Sequence, residues 1–259
     1  MNYESYGNGI PSWVDVGAAD VDGSRAFYSG LFGWNAPEGP AEAGGYTVCD
    51  LGGKTVAGIG PNMSPGAPPH WTTYVNVDSA DETIAKVEAN GGTVFMPPMD
   101  VMEAGRMAIF ADPSGAAIGL WQPGQHTGAQ VVNEPGTYCW SELMTTDLAG
   151  AKSFYNAVFG WGSETQGPEG PGGYTEWKLE GRSIGGMLPK PPEMPADVPS
   201  HWGVYFAVAD TDAAVGQAQE LGGSVHVPPM DIQPGRFSML ADPDGAMFYV
   251  LALNEELKA

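Results

Sequence analysis

The order of apolar and polar positions along the chain predicts alternating short strands and helices. Residues 14–17 are typical of a short strand, and residues 46–50 and 55–60 form two more strands punctuated by glycine. Between them, one helical face carries the apolar side chains Ala26, Phe27, Leu31 and Phe32. Asp20 can cap this helix and Gly33 can end it. The first module is therefore a strand, a helix and at least two strands.

The same order then starts again. Residues 73–77 resemble a strand, and the following segment predicts a capped helix that turns Ile84 and Val87 inward. Strands are predicted at Val94 and at residues 107–110 and 117–121, the last two separated by a turn in the letters DPSG. The first half of the chain thus contains two mixed αβ modules.

The second half of the chain repeats the first. The letters SRAFYSGLFGW at 24–34 return as AKSFYNAVFGW at 151–161, and four further blocks recur in the same order: GGYT, HW, PPMD and GR followed by ADPxGA. The offset is 127 residues between Trp13 and Trp140 and 130 residues between Arg106 and Arg236. This pattern indicates a tandem duplication. The polar segment 122–136 lies between the repeats, which predicts domains at 1–124 and 137–259 and a linker at 125–136.

The composition of the chain limits the kinds of molecule that we expect it to bind. The chain of 259 residues has 10 Lys and Arg against 31 Asp and Glu, a formal net charge of −21. Such a charge repels phosphate backbones and anionic lipid surfaces, so neither nucleic acid nor a membrane is an expected partner. No run of 18 apolar residues and no signal-peptide pattern is present, so we expect a cytoplasmic protein. Cys49 and Cys139 stand outside any metal-binding or disulfide pattern.

The repeated motifs resemble those of one superfamily. A strand, an acidic helix cap, FY…FGW, a second acidic cap, GG, GR and DPxGA are similar to the vicinal-oxygen-chelate superfamily, which includes glyoxalase I, bleomycin resistance proteins and extradiol dioxygenases. The two-half layout looks most like two-domain actinobacterial glyoxalase-like proteins, some of them called hydroxylases. The resemblance implies an α+β fold in which each half is a glyoxalase-like domain of two βαβββ modules curled into a cup. It implies a ligand site inside the cup.

The metal positions implied by this resemblance are substituted. Members that hold a divalent metal typically use His, His and Glu on the first, fifth and eighth strands. The matching positions here are Trp13 and Trp140, Thr72 and Gly203, and Gly119 and Tyr249. None of these is a good metal ligand. We therefore predict no metal and no other cofactor, with a divalent metal at a shifted His and carboxylate site as the alternative.

Other side chains take their place on the inner face that the resemblance implies. Residues two apart on a strand share a face. The first cup then collects Trp13, Asp15, His70, Tyr74 and Trp121, and the second collects Trp140, Glu142, His201, Tyr205 and Tyr249. Asp15 and Glu142 are the catalytic candidates, Glu142 the stronger, because burial among aromatic rings would raise their pKa and suit them to acid–base work. The alternative is an edge carboxylate paired with Arg106 or Arg236.

The remaining candidates each have a structural alternative. His70 and His201 either bond to backbone at the start of a strand or pair with the cup carboxylates. Arg106 and Arg236 either form ion pairs or hold an anionic group of a ligand. His126, in the linker, looks incidental. Trp34, Trp161, Phe27 and Phe154 are predicted core residues.

Three function classes follow from these residues. The first is a small-molecule binding protein, monomer or homodimer, whose aromatic cups hold a flat, partly apolar molecule and serve antibiotic or metabolite sequestration. The second is a lyase, dioxygenase or hydroxylase-like enzyme that uses a shifted metal site or Glu142 as a metal-free proton shuttle. The third is an interaction protein whose cups are filled by side chains. The sequence contains no P-loop, no dinucleotide-binding GxGxxG and no nucleophile elbow.

Overall fold

The computed structural model describes residues 1–63, 66–167, 173–192, 194–195 and 198–254. The first half forms a seven-stranded sheet in the order β2-β3-β1-β4-β7-β6-β5, and the second half forms an eight-stranded sheet in the order β13-β14-β15-β12-β8-β11-β10-β9. Neither sheet closes on itself. Each half consists of two mixed αβ modules that share one sheet, as the repeat predicts.

The elements of the two halves follow the same order, except that the second half has one extra strand, β9, after its first helix. Those of the first half are β1 (Pro11–Ala18), α1 (Val21–Phe32), β2 (Thr47–Leu51), β3 (Lys54–Pro61), β4 (His70–Asn76), α2 (Ala80–Ala89), β5 (Thr93–Val101), β6 (Gly105–Ala111) and β7 (Ala117–Pro123). Those of the second half are β8 (Tyr138–Thr145), α3 (Leu148–Phe159), β9 (Gly162–Gln166), β10 (Tyr174–Leu179), β11 (Arg182–Pro189), β12 (His201–Ala207), α4 (Thr211–Glu220), β13 (Ser224–Ile232), β14 (Gly235–Ala241) and β15 (Met247–Leu253).

Local signals set the ends of the helices. The Asp20 carboxylate accepts a hydrogen bond from the Gly23 backbone N–H at the start of α1, and Gly33 ends the helix at φ 75°. Asp147 and Gly160 do the same for α3. A side-chain acceptor satisfies an otherwise unpaired N–H, and glycine adopts the left-handed conformation at little cost. The predicted cap and stop of α1 are confirmed.

Each half packs its helices against the other half. The Tyr28 hydroxyl on α1 donates to Asp242 Oδ2 at 2.9 Å, and the Trp71 indole N–H donates to the Tyr28 hydroxyl at 2.9 Å. Phe32 lies with its ring centroid 4.9 Å from that of Phe206, a β12 residue. The predicted core residue Phe27 is buried here beside Phe248. The first helix thus covers the sheet of the second half.

The reciprocal contact uses the equivalent residues. The Tyr155 hydroxyl on α3 donates to Asp112 Oδ2 at 3.1 Å, and the Trp202 indole N–H donates to Tyr155 at 2.8 Å. Phe154 packs against Phe110 of the first half. Between the two sets, Thr73 and Ser141 hydrogen-bond at 2.6 Å, fully buried. The helical faces of both sheets therefore meet in one interior, and the opposite faces of the sheets form the cups.

The segment that joins the halves also crosses one end of the first cup. Residues 124–130, called the strap below, leave β7 and bond to the β5–β6 turn, where the Gly124 and His126 N–H groups donate to the Ala104 carbonyl oxygen. The strap then bonds to β1 and β3, because Ala129 N–H donates to the Ser12 carbonyl and Gln130 N–H donates to the Thr55 carbonyl. The strap therefore spans opposite sides of the first sheet.

No helix in the described part of the chain is long and apolar enough to cross a membrane.

Candidate functional site

The second cup centres on a carboxyl group held by two phenols. Glu142 lies on β8, and the Tyr205 hydroxyl of the paired strand β12 donates to its Oε1 at 2.8 Å. The Tyr174 hydroxyl, from β10, faces the same carboxyl group and favours its ionised form. Tyr174 in turn accepts a hydrogen bond of 2.9 Å from the Trp140 indole N–H. Tyr249 on β15 stacks on Tyr205, with ring centroids 4.3 Å apart and planes 9° apart.

The first cup contains the same arrangement. The Tyr46 hydroxyl donates to Asp15 Oδ2 at 3.1 Å and accepts from the Trp13 indole N–H at 2.9 Å. Tyr74, equivalent to Tyr205, is the second phenol on Asp15. Both halves therefore place one carboxyl group between two tyrosine side chains, with a tryptophan indole N–H bonded to one of them.

Burial changes the acid strength of both carboxyl groups. Desolvation raises the pKa of Asp15 from 3.8 to about 7, against the opposing hydrogen bonds from Tyr46 and Tyr74. Desolvation likewise raises the pKa of Glu142 above its usual 4.5, again opposed by two tyrosine hydroxyls. Neither carboxyl group is balanced by a positive charge among the causes of its shift. Asp15 can therefore gain or lose a proton near neutral pH, and the raised pKa of Glu142 makes its carboxylate a stronger base, which suits both groups to proton transfer or to pairing with a ligand cation.

Sequence reasoning missed Tyr46 and Tyr174. In each half, one strand lies between the tyrosine and the carboxyl group, and that strand carries a glycine, Gly58 in the first half and Gly186 in the second. A Cβ at either glycine would clash with the phenol oxygen, so the missing side chain lets the tyrosine hydroxyl reach the carboxyl group. The recurring letters GGYT, followed in each half by a Gly-bearing strand, are the signal that could have found them.

The two cups differ in how far they are open. The strap places the His126 ring against Trp13 and Trp121, with centroids 4.3 Å and 5.5 Å away, and its carbonyl accepts from the Trp121 indole at 2.8 Å. Trp13 is 3% exposed, whereas its equivalent Trp140 is only half-buried. Burial lowers the pKa of His126 to about 4, so this ring is neutral. His126 is thus a packing residue that sequence reasoning took as incidental.

The second cup keeps an apolar wall that remains partly accessible. Tyr205, Tyr249 and Leu251 form a small cluster with the half-buried side chains of Cys139, Trp140, Phe237, Met239 and Leu253. A separate cleft of about 610 Å³ lies at the first cup, lined in part by Thr55, His126 and Gln130. Strap residues form part of the wall of this cleft, and Trp13 and Trp121 are not among its lining residues.

The predicted histidines and arginines lie apart from the carboxyl groups. His70 Nδ1 bonds to the Pro68 carbonyl and His201 Nδ1 to the Pro199 carbonyl, both at 2.9 Å and at the start of a strand. Arg106 pairs with Asp81 and Asp100. The equivalent Arg236 makes the matching ion pairs, with Asp212 and Asp231. These contacts are the backbone bonds and ion pairs that were the alternatives to a ligand role. A ligand role for the four residues stays a prediction.

The residues at the superfamily's metal positions do not fit a divalent ion. Trp140, Gly203 and Tyr249 offer no carboxylate, imidazole or thiolate, and the first half offers Trp13, Thr72 and Gly119. Within the described ranges, no group of three or more His, Cys, Asp or Glu side chains is placed to hold a metal ion.

Both halves of the chain match the model of one protein superfamily. Residues 10–120 and 140–250 match the Glyoxalase/Bleomycin resistance protein/Dioxygenase superfamily, one match for each half. The chain belongs to this superfamily, as the motifs predicted.

Relatives of similar length carry two kinds of name. The chain is 44% identical over 253 residues to the putative glyoxylase CFP32 of Mycobacterium tuberculosis, covering 95% of each chain. It is 41% identical over 268 residues to the anthracycline biosynthesis protein DauV of Streptomyces sp. strain C5, covering 97% of this chain and 96% of DauV.

Solved structures share the fold at low identity. The Mn(II)-bound glyoxalase of Novosphingobium aromaticivorans superposes with a TM-score of 0.65 at 16% identity, over 95% of this chain and 83% of that one. The 2,3-dioxygenase LapB of Pseudomonas sp. KL28 gives a TM-score of 0.66 at 16% identity, over 95% and 93%. These likenesses establish the fold alone.

Proposed function

We propose that the protein binds a flat, partly apolar organic molecule in the cup of its second half. The observation that carries this proposal is the Glu142 carboxyl group. It accepts a hydrogen bond from Tyr205, faces Tyr174 and lies beside a partly accessible aromatic cluster. A concave apolar surface with a few convergent polar groups is the usual form of a small-molecule site. Glu142 fixes the orientation of the ligand, and Tyr249 and Trp140 supply faces for stacking.

Two further points support the second cup over the first. The strap and His126 cover the Trp13 end of the first cup, while the equivalent Trp140 is left partly accessible. The name of DauV refers to anthracyclines, which are polycyclic aromatic compounds, and a stacking site suits such a class. As part of the same proposal we keep the cytoplasmic location and the monomeric or homodimeric state that the sequence suggested.

The first test removes one aromatic wall. In isothermal titration with 2-naphthol, 1-naphthalenemethanol and 1-naphthylmethylamine, we expect one bound molecule per chain for at least one of these probes. Tyr249→Leu should weaken that binding by roughly three- to tenfold, because it removes the stacked face and keeps an apolar side chain. Phe95→Leu, which changes an exposed aromatic ring on β5 of the first half, should bind like the parent protein. Absence of binding for all three probes, or equal loss in both variants, would contradict the proposal.

An enzymatic role is the second candidate, because burial raises the pKa of Glu142 and so makes its carboxylate a stronger base. Such a base removes a proton from carbon beside a carbonyl group. We expect the protein to accelerate hydrogen–deuterium exchange at C1 of 2-tetralone in D₂O, followed by NMR. Glu142→Gln should return the rate to that of buffer while the binding of 1-naphthalenemethanol persists. An exchange rate unaffected by this substitution would remove Glu142 as the base.

A further inference from the structure

We propose that the second cup selects ligands in which a protonated amine lies next to the flat ring system. This inference rests on the proposed function and adds the chemical class of the ligand. It follows from which hydrogen-bonding groups of the cup are already used, which charges surround it, and which ring faces line it.

The hydrogen-bond donors of the second cup already bond to other groups within the cup. The Trp140 indole N–H donates to the Tyr174 hydroxyl, so the Tyr174 hydrogen is free to point at Glu142. Tyr205 also donates its hydrogen to Glu142. An ionised carboxylate has about four acceptor positions and no donor. Tyr205 takes one of these positions and Tyr174 faces the same group, and the remaining capacity of Glu142 is for accepting hydrogen bonds from a ligand. The Tyr249 hydroxyl, which both donates and accepts, does not change this preference.

The charges around the cup also favour a cation. Two basic side chains on strands of the second sheet are engaged in ion pairs, Lys178 with Glu176 and Glu164 and Arg236 with Asp212 and Asp231. Glu176 adds negative charge beside Tyr174. The chain carries a formal net charge of −21. An anionic ligand would meet repulsion at every distance, whereas a cation is attracted over the whole surface and then meets Glu142.

The ring faces complete the site for a cation. Tyr205 and Tyr249 stack in parallel, and Trp140 lies on the neighbouring strand. Aromatic faces attract a cation within about 6 Å of the ring centre, most strongly where water is excluded. An ammonium group bound to Glu142 would lie among these rings, and the flat part of the ligand would stack beside it.

Binding of such a ligand should depend on pH. The groups that face Glu142 from the packed strands are Tyr174 on β10, Tyr205 on β12 and Tyr249 on β15. Burial raises the pKa of Glu142, and a bound cation favours the ionised form and so lowers it again. The affinity for a cation should therefore be highest above the raised pKa and should fall as the pH is lowered through it. A neutral ligand of the same shape should lack this fall.

The test compares two probes of nearly identical shape. At pH 8 and about 0.15 M salt, where screening is strong beyond about 8 Å, 1-naphthylmethylamine should bind about tenfold to a hundredfold more tightly than 1-naphthalenemethanol, the range for a charge-assisted hydrogen bond. Glu142→Gln should abolish most of this difference. Glu88→Gln changes the net charge equally at an exposed helical position, so it should keep the difference. Titration calorimetry of both probes from pH 5 to 8.5 measures these affinities.

The outcomes separate the two proposals. Equal binding of both probes would overturn the selectivity for cations and leave the small-molecule site standing. Loss of the difference in Asp15→Asn instead of Glu142→Gln would overturn the assignment to the second cup. An equal loss in Glu88→Gln would show that net charge, not the cup, attracts the amine. Failure of both probes, together with 2-naphthol, would overturn the proposed function itself.

Discussion

Asp112→Ala is expected to lower the free energy of unfolding by about 3–5 kcal/mol. Asp112 is 2% exposed, and its Oδ1 accepts from the Ser114 and Ala116 N–H groups while its Oδ2 accepts from the Tyr155 hydroxyl of the other half. Alanine leaves these three donors, and the Ser114 hydroxyl that also donates to Oδ1, without that acceptor. Each unsatisfied buried donor costs about 1–3 kcal/mol. The loss combines a local turn with the contact between halves, which is why the expected effect is large.

Chemical denaturation followed by tryptophan fluorescence measures this loss. Asp112→Asn is the milder control, because its amide oxygen can keep the turn bonds while the Tyr155 contact changes. Asp242→Ala is the matched variant, since Asp242 accepts from the Asp244 and Ala246 N–H groups and from Tyr28. We expect a similar loss there. A change below about 1 kcal/mol in both alanine variants would contradict a shared interior stabilised by these bonds.

Asp15→Asn is expected to stabilise the protein above neutral pH by about 2–4 kcal/mol. The pKa of Asp15 rises from 3.8 to about 7 on folding because burial penalises the charged form. A group with a raised pKa contributes stability that is fully present below pH 3.8 and is lost as the pH rises to about 7. The asparagine side chain has no charge to bury. The advantage of the variant should therefore grow across this window and then stay constant.

Unfolding free energies of both proteins between pH 4 and 9 give this curve directly. Glu88→Gln removes a carboxyl group from the exposed side of α2 and should show no such growth. If the difference between Asp15→Asn and the parent protein stayed flat across this range, the Asp15 carboxyl would be hydrated in the folded protein, and the raised pKa would be wrong.

The fold was predictable because its signals are local or repeated. Caps such as Asp20 and stops such as Gly33 act within one turn of the chain, and the duplication shows twice which segments form modules. The packing of α1 was less predictable. Its apolar face predicts burial, but the pattern cannot tell whether Tyr28 meets its own sheet or, as observed, Asp242 of the other half.

The site was predictable only in part, for a similar reason. Alternation along strands places Glu142 near Tyr205, and the structure shows the hydrogen bond between them. Tyr174 reaches Glu142 across an intervening strand, which depends on the missing side chain at Gly186. His126 lies in a polar segment with no periodic pattern, so its position between Trp13 and Trp121 follows from tertiary contacts alone.

The strap, besides joining the two halves, makes the surroundings of the two cups different. Two separate copies of a half could assemble with full twofold symmetry, and both cups would then be alike. Because residues 124–130 join the halves and also bond to Ser12 and Thr55, the connecting segment covers one end of the first cup. Among the residues that the structure describes, fusion into one polypeptide thus gives the two cups different surroundings.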